Sequence, residues 1–277
     1  NSRDKEWKNL DAMMYLRYLY AVLCLKKKKY QYNSTTNLST PRKMTQSDGS
    51  TPLANIDAIA FSTVYAPVWA HTTANEAWRW GAGTDGAHGN NNTTALSWPA
   101  KLETSVGSGV ARTDIAQIAV SGYSTRAVSW IRTTAGKIES SGSRTAGNGD
   151  GAALLGSAVN TFQTASGAIA ALTVSQIIAG GGDNYAAIAI TSLGLAYLVG
   201  TAGSIGALGN TTTTNLNTWT VTGTLPSGFS GAITGGRVAG TSTTLTFYLE
   251  ATISGVKKVV RLLDIISPEE LADRKPR

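Results

Sequence analysis

Ile56-Asp-Ala-Ile59, Ile115-Ala-Gln-Ile118 and Val174-Ser-Gln-Ile177 are one short pattern written three times, at intervals of 59 residues. A further step of 59 lands on Ile233, in the looser segment Ile233-Thr-Gly-Gly-Arg-Val-Ala239. A fixed period of this size marks a repeat architecture, in which no unit buries its apolar side without a neighbour. Each copy continues into an alternating stretch: Ala77-Trp-Arg-Trp80, Ala127-Val-Ser-Trp-Ile131, Tyr185-Ala-Ala-Ile-Ala-Ile190 and Leu245-Thr-Phe-Tyr-Leu249. In the later copies a glycine turn and a second strand follow. Thr191-Ser-Leu-Gly194 leads into Leu195–Val199, and Thr252-Ile-Ser-Gly255 into Val256–Val260, which reads as hairpins. The pattern predicts an all-β repeat body of three to four units.

After the second strand each unit carries a glycine-punctuated loop: Gly81–Asn90, Gly142–Asp150 and Gly200–Asn210. Glycines spaced along a loop imply tight turns or close approach to another segment. Such loops also invite a phosphate-binding reading, but that requires a helix to follow, and Asn/Thr tracts follow here. The units then close on an aromatic, namely Trp98, Phe162 and Trp219. The content of one unit equals that of one propeller blade. The order I-x-x-I, hairpin, then G-x-x-G-x-x-G-A-L-G-N over Gly200–Asn210 resembles a regulator-of-chromosome-condensation repeat. The resemblance runs from Asn55 to Leu262, strongest in the third unit and most degenerate in the second. It implies a β-propeller, usually seven-bladed in that family, with a role in guanine-nucleotide exchange or chromatin docking. Three units and a partial fourth imply a small ring, a ring completed by other chains, or a different stacking.

In front of the body, Trp7, Leu10, Met13/Met14, Leu16, Leu19/Tyr20 and Leu23 recur at threes and fours, which predicts an amphipathic N-terminal α-helix within residues 1–32. Lys26–Lys29 complement the negative end of its dipole. Trp7, Leu10, Met14, Leu19 and Leu23 are therefore candidates for attachment or oligomerisation. The apolar run Ala12–Leu25 is shorter than the roughly 20 residues of a membrane span and is broken by Arg17. Residues 33–54 read as a polar linker. The β-body is expected over 55–266, in units near 55–113, 114–172, 173–231 and 232–266, with a tail at 267–277. Cys24 is the only cysteine, so a cysteine-based zinc site is excluded and a buried thiol is expected.

Charge is unevenly placed. The whole chain is +7, but residues 1–50 contribute +6 and 256–277 contribute +2, leaving the body at −1. Phosphate binding needs several cations on one surface, so nucleic-acid binding by the body is not expected. His71 and His88 are the only histidines and have no zinc spacing. His88, in a loop with Asp85, reads as an exposed turn residue. Asp57, Asp114 and Asp183 lie beside unit boundaries, where capping or turn roles suffice. No catalytic constellation, metal or cofactor is expected, and the chain reads as a non-enzyme.

Trp78, Trp80 and Trp130 read as core. Trp98 and Trp219 follow polar loops, where aromatics flanked by Asn and Thr hold sugar rings; packing that closes the blade is the favoured alternative. With His88, Asn90 and Asn210 they form the candidate receptor-binding set. A Thr/Asn/Ser/Gly-rich body of low charge behind a helix and linker is similar in style to a bacteriophage tail or head fibre. The leading expectation is therefore an adhesive virion appendage. It would pack on other virion proteins through its N-terminal segment, as a homo-oligomer such as a trimer, and meet a host-surface glycan or protein through its loops. The alternatives are a regulator-of-chromosome-condensation-like propeller, serving as a protein-interaction module or exchange factor, and a bacterial surface adhesin.

Overall fold

The computed structural model describes residues 44–46, 48–62, 66–123, 126–145, 147–152, 159–180, 186–201, 215–222, 225, 227–240 and 245–262. The predicted N-terminal helix with Trp7, Leu10, Met14, Leu19 and Leu23, and also Cys24, Asp183, Asn210 and the tail, lie outside them. Four antiparallel sheets follow one another along the chain. The first is β1 (Ile56–Ala60), β2 (Pro67–Thr72), β3 (Ala77–Gly81) and β4 (Leu96–Lys101); the second is β5 (Ile115–Tyr123), β6 (Arg126–Thr133), β7 (Ile138–Gly142) and β8 (Val159–Thr164). The third is β9 (Val174–Gly180), β10 (Ala186–Thr191), β11 (Ala196–Gly200) and β12 (Leu216–Val221); the fourth has three strands, β13 (Ile233–Gly240), β14 (Leu245–Ile253) and β15 (Val256–Arg261). In each sheet the strands neighbour one another in chain order, which is the meander of a propeller blade.

The 59-residue period is visible atom by atom. The first strand of every blade opens with one residue too many against its partner: Asp57, Ala116, Ser175 and Thr234 each sit in a register shift. Such a bulge raises the local twist and bends the strand. The next turn repeats as well. Thr72, Thr133 and Thr191 end the second strands of blades one to three, and their hydroxyls accept the N–H groups of Glu76, Lys137 and Leu195. Asn75, Gly136 and Gly194 complete these turns at positive φ, and their carbonyls accept the N–H of Ile115, Val174 and Ile233. Each blade thus anchors the start of its successor.

Apolar side chains fill the spaces between blades. Trp69, Leu102, Ile115 and Ile131 pack between the first and second; Trp130, Ile138, Ile177 and Tyr197 between the second and third; Ile188, Leu198, Ile233 and Phe247 between the third and fourth. Central strands covered on both faces cannot show the apolar–polar alternation of a one-sided sheet, and β3, β10 and β11 are buried throughout.

Two expectations are corrected here. In the first unit the stretch Ala77–Trp80 is the third strand, whereas its supposed counterparts form second strands; the true counterpart is Pro67–Thr72, disguised by its proline and histidine. The end of the segment read as linker also packs. Thr45 and Pro52 form a bridge, and Met44 and Leu53 lie against Ala70, Trp78 and Trp80 on the first blade. Among the described residues no blade precedes this one, and two apolar residues of a polar tract cover this face.

Candidate functional site

The first two glycine loops turn inward, onto the next blade. In the first unit a 3-10 turn at Thr84–Gly86 places Gly86 against Asn160 and Gly89 against the Phe162 ring, where a Cβ would collide. Ser141 Oγ donates to the Ala87 carbonyl at 3.3 Å. This carries His88 inside, with 0% exposure. Burial pushes its pKa down to about 4, so the ring is neutral, and its Nε2 donates to the Gly81 carbonyl at 3.2 Å. The exposed turn residue expected at His88 is thus a buried one.

The second unit repeats the device. Asn148 is buried and its carbonyl accepts the Trp130 indole N–H at 2.9 Å. Gly149 lies on the Trp219 ring, and its N–H donates to Asn217 Oδ1 at 3.1 Å. Phe162 and Trp219 therefore receive the preceding blade's loop. Gly49, in the segment covering the first blade, lies against Trp98 in the same way. Trp219 is 2% exposed, which is the packing role and leaves no ring face for a sugar. Of the candidate receptor contacts, Asn90 and Trp98 are half-buried, while His88 and Trp219 are inside.

A cleft opens on the outer side of the boundary between the first two blades. It encloses about 630 Å³ and is lined by Gly89, Leu102, Glu103, Arg112, Glu139 and Phe162, among others. The connection from β4 to β5 rises beside it as a hairpin. Arg112 N–H donates to the Leu102 carbonyl and Thr104 N–H to the Val110 carbonyl, and Gly107 N–H binds Glu103 Oε2 at 2.7 Å. The hairpin holds up two exposed valines, Val106 at 52% and Val110 at 58%.

Arg112 stands at the foot of the hairpin. Its Nε and Nη2 bind Asp114 at 2.6 and 3.0 Å, while Nη1 and Nη2 bind Glu139 at 2.7 Å each. Burial alone works to lower its pKa, but the hydrogen bonds from Glu139 and Asp114 outweigh it and the net shift is upward. Asp114 moves the other way, held below the usual carboxylate range chiefly by its bond to Arg112. The cluster joins one guanidinium to two carboxylates and carries a net negative charge. Sequence reasoning assigns Asp114 only a generic boundary role; the signal that points further is Arg112-Thr-Asp114 beside Gly107 and Gly109.

Asp57, the other boundary acid in view, is bound to His71 Nδ1 at 2.6 Å, and His71 Nε2 reaches the Ile115 carbonyl at 2.7 Å. This ties the first blade to the second. Among the described residues no group of three or more His, Cys, Asp or Glu is placed to hold a metal ion, and no helix is long and apolar enough to cross a membrane.

No protein-family profile matches the sequence, and no curated protein does. Solved structures do. Human WBSCR16 superposes with a TM-score of 0.57 at 14% identity, over 91% of this chain and 62% of its own. Prp20p from Saccharomyces cerevisiae gives 0.47 at 18% identity, over 65% of this chain and 40% of its own; that structure was described together with binding to Gsp1p and histones. These neighbours are RCC1-like β-propeller proteins, and the present blades share the propeller-like fold. At these identities the likeness concerns the fold, and the chain spans less than two thirds of the length of either neighbour.

Proposed function

We infer that the chain is a protein-interaction module of the propeller type, and that its contact surface is the cleft between the first two blades with the hairpin 102–112 beside it. The observation that carries this is the pair Val106 and Val110, exposed on a hydrogen-bonded hairpin next to the ion cluster at Arg112. Apolar side chains held out in water beside a polar rim are the usual make-up of a protein contact. A body charge of −1 over residues 51–255 argues for a protein and against a polyanion. The RCC1-like fold supports the same reading.

Neither the fold nor the comparisons support the virion-appendage expectation. Guanine-nucleotide exchange is the narrower form of the present reading. It is tested separately, by release of labelled GDP from a Ran-like GTPase.

The test of the interaction surface is crosslinking mass spectrometry in native extract, with the wild-type chain and the double variant Val106→Asp, Val110→Asp. The variant should melt within about 1 kcal/mol of wild type, as surface changes do. A discrete protein crosslinked within 102–114 by wild type and lost by the variant is the expected result. Unchanged crosslinks, or crosslinks only elsewhere on the body, would overturn it.

A further inference from the structure

Among the described residues, three of the four blades end in a fourth strand and the last has three strands. The difference starts in the sequence. Blades one to three close their third strand on a glycine with positive φ, Gly81 at 90°, Gly142 at 119° and Gly200 at 127°. Each glycine is the pivot at which pairing with the outer strand shifts register. At Gly142 a Cβ would press into Val128 and Ala127 of the neighbouring strand, so a side chain is not accommodated. Pairing sets Val259 opposite Glu250 as Ala77, Ile138 and Ala196 stand opposite His71, Arg132 and Ile190, so four residues on, where those strands reach their glycines, the last blade has Leu263. The last blade therefore has no glycine at the position of the pivot.

Burial records the consequence. Val259 is 48% exposed and Arg261 is exposed, whereas their counterparts Ala77 and Arg79, Ile138 and Ser140, and Ala196 and Leu198 are buried. The turn before β15 tells the same story. Gly136 and Gly194 press against the next blade, whereas the last hairpin runs on past Ala251, the counterpart of Thr133 and Thr191, to a turn where Gly255 has open space around it. Ser254 and Gly255 form a two-residue turn with φ of 52° and 76°, joining the pair Ile253 and Val256. In such a hairpin the closing pair exchanges both hydrogen bonds, and the direction then alternates. Val256, Lys258 and Val260 thus bond to β14, and the N–H and C=O of Lys257, Val259 and Arg261 face outward. Among the described residues no strand pairs with them.

The edge is basic. Lys257, Lys258 and Arg261 lie on six residues of strand, and the nearest acid across the sheet, Glu250, is paired with Arg237 at 2.8 Å. Lysines on an edge also discourage two like edges from pairing with each other. They do not discourage an acidic strand, whose carboxylates would lie opposite them.

We propose that the outward edge of β15 is a strand-acceptor site, which takes an extended acidic segment of another polypeptide as the fourth strand of the last blade. Main-chain hydrogen bonds to Lys257, Val259 and Arg261 supply affinity, and the basic side chains select an acidic sequence with aliphatic residues between the acids. The site is remote in sequence from the hairpin 102–112 and acts whether or not that surface binds a partner.

The probe is the labelled, end-capped hexapeptide Glu-Val-Glu-Val-Glu-Val, with its Lys-for-Glu counterpart and hexaglutamate as controls. Binding is read by fluorescence anisotropy, and protection of Val256–Arg261 by hydrogen exchange. Val259→Pro is the decisive variant, because proline at an outward-facing position of an edge strand removes a donor without breaking a ladder bond. We expect dissociation constants on the order of 100 µM for a short strand with three charges. The Val259→Pro and Lys257→Glu/Lys258→Glu variants should each weaken binding about tenfold or more with unchanged melting, and Val106→Asp should leave it unaltered. No binding at about 1 mM, equal binding of hexaglutamate, or full binding by Val259→Pro would overturn the proposal.

Discussion

Gln117 makes two hydrogen bonds to the main chain of Ile177: its Oε1 accepts the Ile177 N–H at 2.9 Å and its Nε2 donates to the Ile177 carbonyl at 2.8 Å. A side-chain amide thus serves as a strand partner for a residue sixty positions on, in the next blade. Gln176 repeats the contact with Gly236, whose N–H it receives at 3.2 Å. In the first unit Ala58 occupies the position of Gln117, and the Asp57–His71–Ile115 chain makes the connection instead. Ser62 and Gly122, and Trp69 and Ser129, are joined across the same offset.

Replacing Gln117 with alanine leaves a buried N–H and a buried carbonyl unpaired. At 1–3 kcal/mol for each orphaned group, the Gln117→Ala variant should lose about 2–4 kcal/mol in denaturant unfolding. Gln117→Glu keeps an acceptor and loses the donor, so it should fall between.

Acid should weaken the fold in a window set by His88. Its pKa in the fold is about 4, against an ordinary 6.5, because burial disfavours the charged ring. The unfolded chain therefore takes up the proton first as pH falls, and the stability contributed by the neutral ring, full above 6.5, is lost towards 4. The shift corresponds to a loss on the order of 3 kcal/mol. Asp85, whose carboxyl burial raises, acts in the opposite sense as pH falls towards 3.8. Comparing wild type with His88→Gln isolates the histidine: the melting temperature of the variant should vary less between pH 6.5 and 4.

Two glycines with similar backbone geometry separate packing from conformation. Gly109 has φ 68° and nothing within 4 Å of where a Cβ would sit, whereas Gly149 has φ 92° and the Trp219 ring against that position. Gly109→Ala should cost about 1 kcal/mol from the left-handed backbone alone. Gly149→Ala carries the same strain plus overpacking, about 1–3 kcal/mol more. Equal losses of melting temperature in the two variants would refute the loop-to-blade contact.

Arg112→Met should cost about 2 kcal/mol at neutral pH, since it leaves two carboxylates facing one space. The figure is tempered by the partial exposure of Asp114. Asp114 is held below its ordinary range by Arg112, so the stability it contributes is present above about 3.8 and lost as pH falls further. The difference between wild type and variant should shrink on acidification to pH 3, followed by chemical denaturation at each pH.

The repeat is legible in the sequence because the inner strands are rich in β-branched residues at a constant interval, and Ile56, Ile115, Val174 and Ile233 do open β1, β5, β9 and β13. The second strand of the first blade is not, since Pro67 and His71 interrupt its apolar run. Glycine spacing signals that the loops make close approaches, but a sequence cannot say what is approached. Their contact with Phe162 and Trp219 on the following blade explains why His88 and Trp219 are inside. The cleft is hidden because Arg112 and Glu139 lie 27 positions apart and meet only when the third strand of a blade folds back over its entry. Nothing in the sequence of Val256–Arg261 marks it as an edge until pairing with β14 makes the exposed Val259 the counterpart of the buried Ala77, Ile138 and Ala196.

Amide hydrogen exchange at Ile177, by NMR in wild type and in Gln117→Ala, addresses the stacked-blade arrangement at its source. The Ile177 amide should be protected in wild type and should exchange about a hundredfold faster in the variant, equivalent to some 2.7 kcal/mol of lost protection, while Ile188 and Ala189 on β10 keep their rates. Identical exchange of Ile177 in the two proteins would mean that the second and third blades are not joined at a sixty-residue offset.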